Sequence, residues 1–133
     1  MNKKILTTAA FLGFTAIALG AFGAHGLKNL VSPEQIATFE TGIRFQMYHA
    51  LLLLFLGISK DIFTSKTKNV IFFLVTLGVV LFSGSIYGLA TNELTAFDFK
   101  KIALVTPLGG TLLIVAWAWL LVSFLKLKKP HKK

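Results

Sequence analysis

Only a few polar side chains lie within or beside the long apolar segments of this chain, where they could titrate or bind a ligand. His25 closes the segment Leu19–Lys28, "LGAFGAHGLK", and Gln46 and His49 lie in "FETGIRFQMYHALLLL", Phe39–Leu54. A histidine can exchange protons near neutral pH, and ionisable groups inside membrane spans are costly and often functional. We predict that these three residues are a candidate outward-facing polar pocket. Interhelical hydrogen bonding is the simpler alternative, and a purely interfacial role is the simpler alternative for His25.

The same segment contains a candidate ion pair. Glu40 and Arg44 are four residues apart, so on a helix their side chains would lie on one face and attract each other. The sequence predicts no metal site, because an isolated histidine is a poor one and zinc usually has at least three protein ligands. The chain has no cysteine, which excludes thiolate ligands, disulfides and cysteine nucleophiles. Nucleotide-binding, zinc-protease and nucleophile motifs are also missing, so we predict neither an enzyme nor a cofactor.

The composition indicates the elements that must position these residues. Of the 133 residues, 55% are hydrophobic and only 14% are charged, against roughly 25% in soluble domains; the mean hydropathy is +0.75. Four apolar stretches approach the ~20 residues that a helix needs to cross a bilayer, and continuous runs of this length are too long for barrel strands. We predict an all-α membrane bundle in one domain, residues 1–133, with four transmembrane helices at about 5–24, 42–58, 70–90 and 102–125.

The segment before the second span contains a helix start. In "SPEQ", Ser32 can cap a helix, Pro33 suits its first turn and Gln35 can complete a capping box. The helical pattern then continues into the second span. Either one long helix crosses the membrane interface, or a short interfacial helix bends at Gly42.

The distribution of basic residues predicts the orientation. With four spans, both termini and the second loop share one side, which carries ten of the 14 lysines and arginines. Cytoplasmic loops are enriched in these residues, so both termini should be cytoplasmic. The first span exceeds the ~7–15 apolar residues of a signal peptide, so we expect it to stay uncleaved. The lysine-rich tail "LKLKKPHKK" should attract anionic lipid. The cations lie at segment ends and form no amphipathic face, so we predict no nucleic-acid partner.

Small residues predict close helix packing, because they let helix backbones approach where lipid supplies no hydrophobic drive. In the first span they share one face from Ala9 to Ala24, and in the third span Gly84 and Gly88 are four residues apart. Packing within one chain is the favoured interpretation, and a homo-oligomer interface is the alternative. The predicted packing positions are Gly13, Gly20, Gly23, Gly84 and Gly88.

The fourth span contains "TPLGG", Thr106–Gly110. Pro107 lacks a backbone donor, and Gly109 and Gly110 loosen a helix, so these three residues predict a kink. Broken helices can mark transporter sites, although packing is the favoured role here. Trp117 and Trp119 lie towards the predicted cytoplasmic end and fit an interfacial aromatic belt.

Taken together, four segments resemble a small membrane protein family catalogued as domain of unknown function 423, which also contains eukaryotic transmembrane protein 256. The matching segments are "GAFGAHGL", "FETGIRFQMYHALLLL", "LFSGSIYGL" and "TPLGG". Their order and spacing match over nearly the whole chain. The chain departs from the family at Phe45, where tyrosine is frequent, and at Ala116-Trp117, where Gly-Trp is frequent. The resemblance implies an uncleaved bacterial plasma-membrane protein of a family without an assigned activity.

Three functional hypotheses follow. The leading one is a non-enzymatic membrane-integrity or accessory protein that packs with lipid or partner helices. The second is a small-solute or proton pathway through His25, Gln46 and His49, gated near Pro107. The third is a binder of a membrane-soluble ligand such as a quinone, which requires a lateral apolar cleft beside His49. The predicted partners are the bilayer, anionic lipids at the basic ends, and a membrane protein or second copy of the chain.

Overall fold

The computed structural model describes residues 2–128. Four long helices account for most of this part of the chain, and it contains no strand. They are α1 (Lys3–His25), α2 (Pro33–Ile58), α3 (Ser65–Ala90) and α4 (Val105–Leu125), with two short 3₁₀ helices, Asn92–Leu94 and Phe99–Ile102, in the last connection. All four spans, the last counted from Phe99, are long and apolar enough to cross a membrane. The predicted all-α fold with four transmembrane helices is confirmed.

The start of α2 follows the predicted capping pattern. The Ser32 hydroxyl accepts a hydrogen bond from the Gln35 amide at 3.2 Å, and the Gln35 side-chain oxygen accepts one from the Ser32 amide at 3.0 Å. Pro33 is the first helical residue. From there α2 runs without a break to Ile58, a length of about 39 Å at 1.5 Å per residue. Of the two alternatives, the single long helix is therefore the one the chain adopts.

The predicted kink at Pro107 is wrong, because the fourth helix begins only two residues before this proline. Pro107 is the third residue of α4, and the chain before Val105 forms a separate 3₁₀ helix. The first amides of a helix have no intrahelical acceptor, so a proline in the first turn removes no bond. Pro107 therefore helps to begin the fourth helix and does not bend a continuous span.

The helices pack in chain order, α1 on α2, α2 on α3 and α3 on α4. The spans differ in the buried share of their 18 most apolar consecutive residues. This share is 44% for α2 and for α3, but 17% for α1 and 22% for the last span. The two middle helices are therefore central and the outer two are flanking. The shared core contains Ile5, Leu53, Ile71, Val75 and Leu113.

Glycines bring α3 and α4 into backbone contact. A methyl group on Gly109 would lie 2.9 Å from the carbonyl oxygen of Gly78 and would also meet the backbone of Phe82. One on Gly110 would lie 3.5 Å from the Phe82 ring. Gly109 and Gly110 thus allow close packing, and Gly78 is a contact that the sequence analysis missed.

The small-residue face of α1 is directed at α2. A methyl group on Gly23 would lie 3.0 Å from the Phe39 ring. Methyl groups on Gly13 and Gly20 would each lie 3.9 Å from an α2 side chain, Ala50 or Ile43. This face is therefore occupied within the chain.

The predicted Gly84–Gly88 pair does not act as one packing unit. A methyl group on Gly84 would meet nothing within 4 Å, and the residue is exposed. One on Gly88 would lie 2.5 Å from the ring of Phe99, which belongs to a 3₁₀ helix. The prediction is wrong for Gly84, because α4 crosses α3 at Gly78, on a different face.

Charge is distributed unequally between the two ends of the bundle. The Asn2 amide donates to the Gly57 carbonyl at 3.0 Å, which places the start of α1 beside the end of α2. We call this the basic end. Its only acid among residues 2–128 is Asp61, and its lysines there are Lys3, Lys4, Lys60, Lys66, Lys68, Lys126 and Lys128. The opposite half has equal numbers of basic and acidic residues. They are Lys28, Arg44, Lys100 and Lys101, and Glu34, Glu40, Glu93 and Asp98. The last five residues of the predicted lipid-attracting tail lie outside the described residues.

Candidate functional site

Gln46 lies where α1, α2 and α3 meet, and it is only 5% exposed. Its side-chain nitrogen donates to the Leu12 carbonyl and to the Thr15 hydroxyl, each at 2.8 Å. Its side-chain oxygen accepts a hydrogen bond from the Tyr87 hydroxyl at 2.6 Å. One amide thus links three helices. Both donor hydrogens and the acceptor are used, so the arrangement avoids the penalty of an unpaired buried amide.

His49, 4% exposed, links α2 to α4. The indole Nε1 of Trp117 lies 3.1 Å from His49 Nε2, and His49 Nδ1 lies 2.7 Å from the Phe45 carbonyl oxygen. An indole N–H only donates. His49 Nε2 must therefore accept, and Nδ1 carries the hydrogen that is donated to Phe45. Both ring nitrogens are engaged in this tautomer. Trp117 was expected in an interfacial belt, but its N–H is directed at the bundle.

Two buried serines add further links between helices. The Ser83 hydroxyl donates to the Gly42 carbonyl at 2.8 Å, between α3 and α2. The hydroxyls of Ser85 and Thr106 are 2.6 Å apart, between α3 and α4. The sequence analysis did not assign these roles, although Ser83 and Ser85 are polar residues within an apolar span. We call Gln46, His49 and their partners, together with these serine links, the polar network.

His25 does not join the polar network. It is the last residue of α1 and is exposed, and within residues 2–128 no hydrogen bond connects its ring to Gln46 or His49. The predicted three-residue pocket is therefore not assembled. Position along the helices explains this, because His25 ends α1 whereas the α1 partners of Gln46 are Leu12 and Thr15, near its middle.

The predicted Glu40–Arg44 ion pair is also absent from the described part of the chain. Both residues are exposed, and the Arg44 guanidinium donates to the Thr41 hydroxyl at 3.0 Å. Exposed ion pairs gain little free energy, so an adjacent hydroxyl can replace the carboxylate. Among residues 2–128, no group of three histidine, aspartate or glutamate side chains is arranged to hold a metal ion.

A lateral groove of about 420 Å³ lies beside His49, between α2 and α4 and next to Phe82 of α3. This volume falls within the ~300–1,000 Å³ of typical ligand pockets. The polar atoms nearest to it, on His49 and Trp117, are hydrogen-bonded to each other. The surface offered to an occupant is therefore almost wholly apolar. The groove is lined by Phe45, His49, Phe82, Gly110, Leu113, Ile114 and Trp117.

Comparison with known proteins identifies the family of this chain. The family model described as protein of unknown function (DUF423) matches residues 19–110, a segment that includes Gln46, His49 and Tyr87. The chain belongs to the DUF423 family. No solved structure is significantly similar to it.

Several bacterial membrane proteins are similar to this DUF423 protein over almost their full length. A UPF0382 membrane protein of Staphylococcus saprophyticus is 38% identical over 125 residues, covering 94% of this chain and 99% of its own. The UPF0382 inner membrane protein YgdD of Escherichia coli is 37% identical, covering 96% and 94%. A UPF0382 membrane protein of Haemophilus influenzae is 34% identical, covering 96% and 98%. Together with the four apolar helices, these relatives establish a multi-pass membrane protein of an uncharacterised family.

Proposed function

We propose that this DUF423 protein is a non-enzymatic accessory protein of the membrane that binds apolar membrane components, lipid chains or partner helices, through the lateral groove beside His49. The groove is the observation on which the proposal rests. Its walls come from α2, α3 and α4, and the His49–Trp117 hydrogen bond links α2 to α4, so a polar contact helps to fix its shape while its surface stays apolar.

The polar network supports a structural role over a chemical one. Gln46 has both donors and its acceptor in hydrogen bonds, and both nitrogens of His49 are engaged. A general acid, general base or proton carrier needs a free site directed at its substrate. The buried polar groups of this network are directed at one another. This arrangement favours the accessory role over a proton or solute pathway.

Filling the groove tests this proposal. Ile114 lines the groove and is 70% exposed, whereas Leu121 is 61% exposed on the same helix and does not line the groove. In a deletion strain with altered envelope permeability or stress resistance, Leu121→Trp should restore the wild-type phenotype and Ile114→Trp should not. Proteins or lipids that co-purify with the wild type should be lost only from Ile114→Trp. Full complementation by Ile114→Trp, or a deletion that changes none of these properties, would overturn the proposal.

A quinone-like ligand is a second candidate, favoured by the aromatic rings of Phe45, Phe82 and Trp117 around the groove. A flat ring could stack on these side chains. In a Trp119→Phe background, a short-chain quinone should quench the fluorescence of Trp117 with saturation. Quenching that rises linearly without saturation would contradict a specific site.

We also propose that the protein lies in a bacterial plasma membrane with both termini cytoplasmic, as the positive charge of the basic end favours. Because the chain has no cysteine, single substitutions can report each side. In intact cells, a membrane-impermeant maleimide should label Thr95→Cys and leave Lys60→Cys unlabelled until the cells are opened. The reverse pattern would contradict this orientation.

A further inference from the structure

A second groove, of about 720 Å³, lies at the basic end between the α2–α3 connection and the last three turns of α4. We call it the basic-end groove. One wall comes from the α2–α3 connection and the first turn of α3, and the other comes from the end of α4 and the two residues that follow it. The first wall contains Ile62, Phe63, Thr64, Lys66 and Thr67, and the second contains Val115, Ala118, Trp119, Val122, Ser123, Lys126 and Leu127. It shares no lining residue with the lateral groove beside His49. An occupant here would therefore be separate from the one in the proposed function.

The basic-end groove is amphipathic along its length. Val115, Ala118 and Val122 provide an apolar wall within the transmembrane part of α4, and Trp119 adds an aromatic side chain. At the end of the groove beside the start of α3 and the end of α4, which we call its mouth, Lys66 and Lys126 lie on opposite walls, and no acid among residues 2–128 lines the groove. Lys126, the residue after α4, lies about 17 Å from Val115 along the helix axis at 1.5 Å per residue. The groove thus begins at hydrocarbon depth and ends at two cations.

We propose that the basic-end groove binds an anionic phospholipid, with an acyl chain along α4 and the phosphate between Lys66 and Lys126. Juxtamembrane lysines attract anionic headgroups, and ammonium groups are good phosphate partners. The surrounding charge favours the same occupant. Among residues 2–128, the basic end has seven lysines and one acid, whereas the opposite half is balanced. A free anion would use only the mouth, and a neutral lipid would use only the apolar wall.

The test compares lipid binding by matched lysine variants. Purified full-length protein in mixed micelles is titrated with phosphatidylglycerol or phosphatidylcholine, and bound lipid is measured by native mass spectrometry. Wild-type protein should prefer phosphatidylglycerol. Lys66→Gln/Lys126→Gln should weaken phosphatidylglycerol binding by about 30-fold, or about fivefold for each lysine. The control Lys28→Gln/Lys100→Gln removes the same charge at the opposite end and should bind like the wild type.

Two further measurements separate the groove from general electrostatics. Ala118→Trp places a large side chain in the groove beside its apolar wall. It should weaken phosphatidylglycerol binding although all lysines are kept. Inorganic phosphate should compete poorly, since it lacks the chain. Ile114→Trp, which fills the groove beside His49, should leave this binding unchanged, so the proposed function and this inference can fail separately. Equal losses in the two lysine double variants, unchanged binding by Ala118→Trp, or competition by phosphate as strong as by phosphatidylglycerol would overturn the assignment.

Discussion

Replacing Gln46 by methionine tests the central link of the bundle. Methionine keeps nearly the same length and removes both donors and the acceptor. The change removes three hydrogen bonds, to Leu12, Thr15 and Tyr87. Interhelical hydrogen bonds in membranes average about 0.6 kcal/mol each. Gln46→Met should therefore lower the free energy of unfolding by about 2 kcal/mol.

A double-mutant cycle assigns part of this loss to a single contact. Tyr87→Phe removes the hydroxyl that donates to the buried Gln46 side-chain oxygen and leaves that oxygen unpaired, so it should lower the free energy of unfolding by about 1 kcal/mol. The double variant should lose less than the sum of the two single variants, by about the value of the shared bond. Leu51→Met on the lipid-exposed face of α2 is the matched control and should change little.

The assay is equilibrium unfolding in mixed micelles with increasing denaturing detergent, followed by circular dichroism. Strictly additive losses for Gln46→Met and Tyr87→Phe would show that the Tyr87 hydroxyl does not bond to Gln46. A Gln46→Met variant as stable as the wild type would refute the interpretation of Gln46 as the link between three helices.

Three further changes probe other contacts, each measured by the same unfolding assay. Gly109→Ala should lower the free energy of unfolding by about 2 kcal/mol, because the added methyl group meets the backbone of α3. The control Gly84→Ala places its methyl group where it meets no neighbour, so its stability should be unchanged or slightly higher. Equal losses of stability in the two variants would contradict the α3–α4 contact. Trp117→Phe should lower the free energy of unfolding by about 1 kcal/mol, because it leaves the Nε2 acceptor of His49 unpaired; no loss would argue against that bond. Ser32→Ala should lower it by about 1 kcal/mol by removing the α2 cap, and unchanged stability would mean that the capping box contributes nothing.

Local sequence patterns predicted the helices well, because their signals are short-range. Apolar length identified the spans, and the Ser32 cap identified the start of α2. The predicted starts of the third and fourth helices differ from the structure for local reasons. α3 begins at Ser65, five residues before the predicted span, since its first turn is polar and is capped by Thr64. α4 begins at Val105, since the residues before it form a 3₁₀ helix.

The candidate site was predicted only in part. Gln46 and His49 were selected because polar residues within a span must find partners. Their partners were not predicted, and His25 was assigned to the same pocket on the basis of residue type. Glu40 and Arg44 were paired by spacing alone, but the guanidinium bonds to Thr41, which lies nearer along the same helix.

The sequence by itself determined the membrane class, the four helices, the family resemblance and the excess of positive charge at one end. These properties depend on composition and on neighbours within one or two helical turns. Tertiary structure alone decided which polar groups meet. Gln46 forms hydrogen bonds with Leu12 and Tyr87, which are 34 and 41 positions away in the sequence. His49 forms one with Trp117, which is 68 positions away. Such contacts depend on which helices are adjacent and on their relative axial positions and rotations. Helical periodicity fixes the faces of each helix but leaves these relations between helices open.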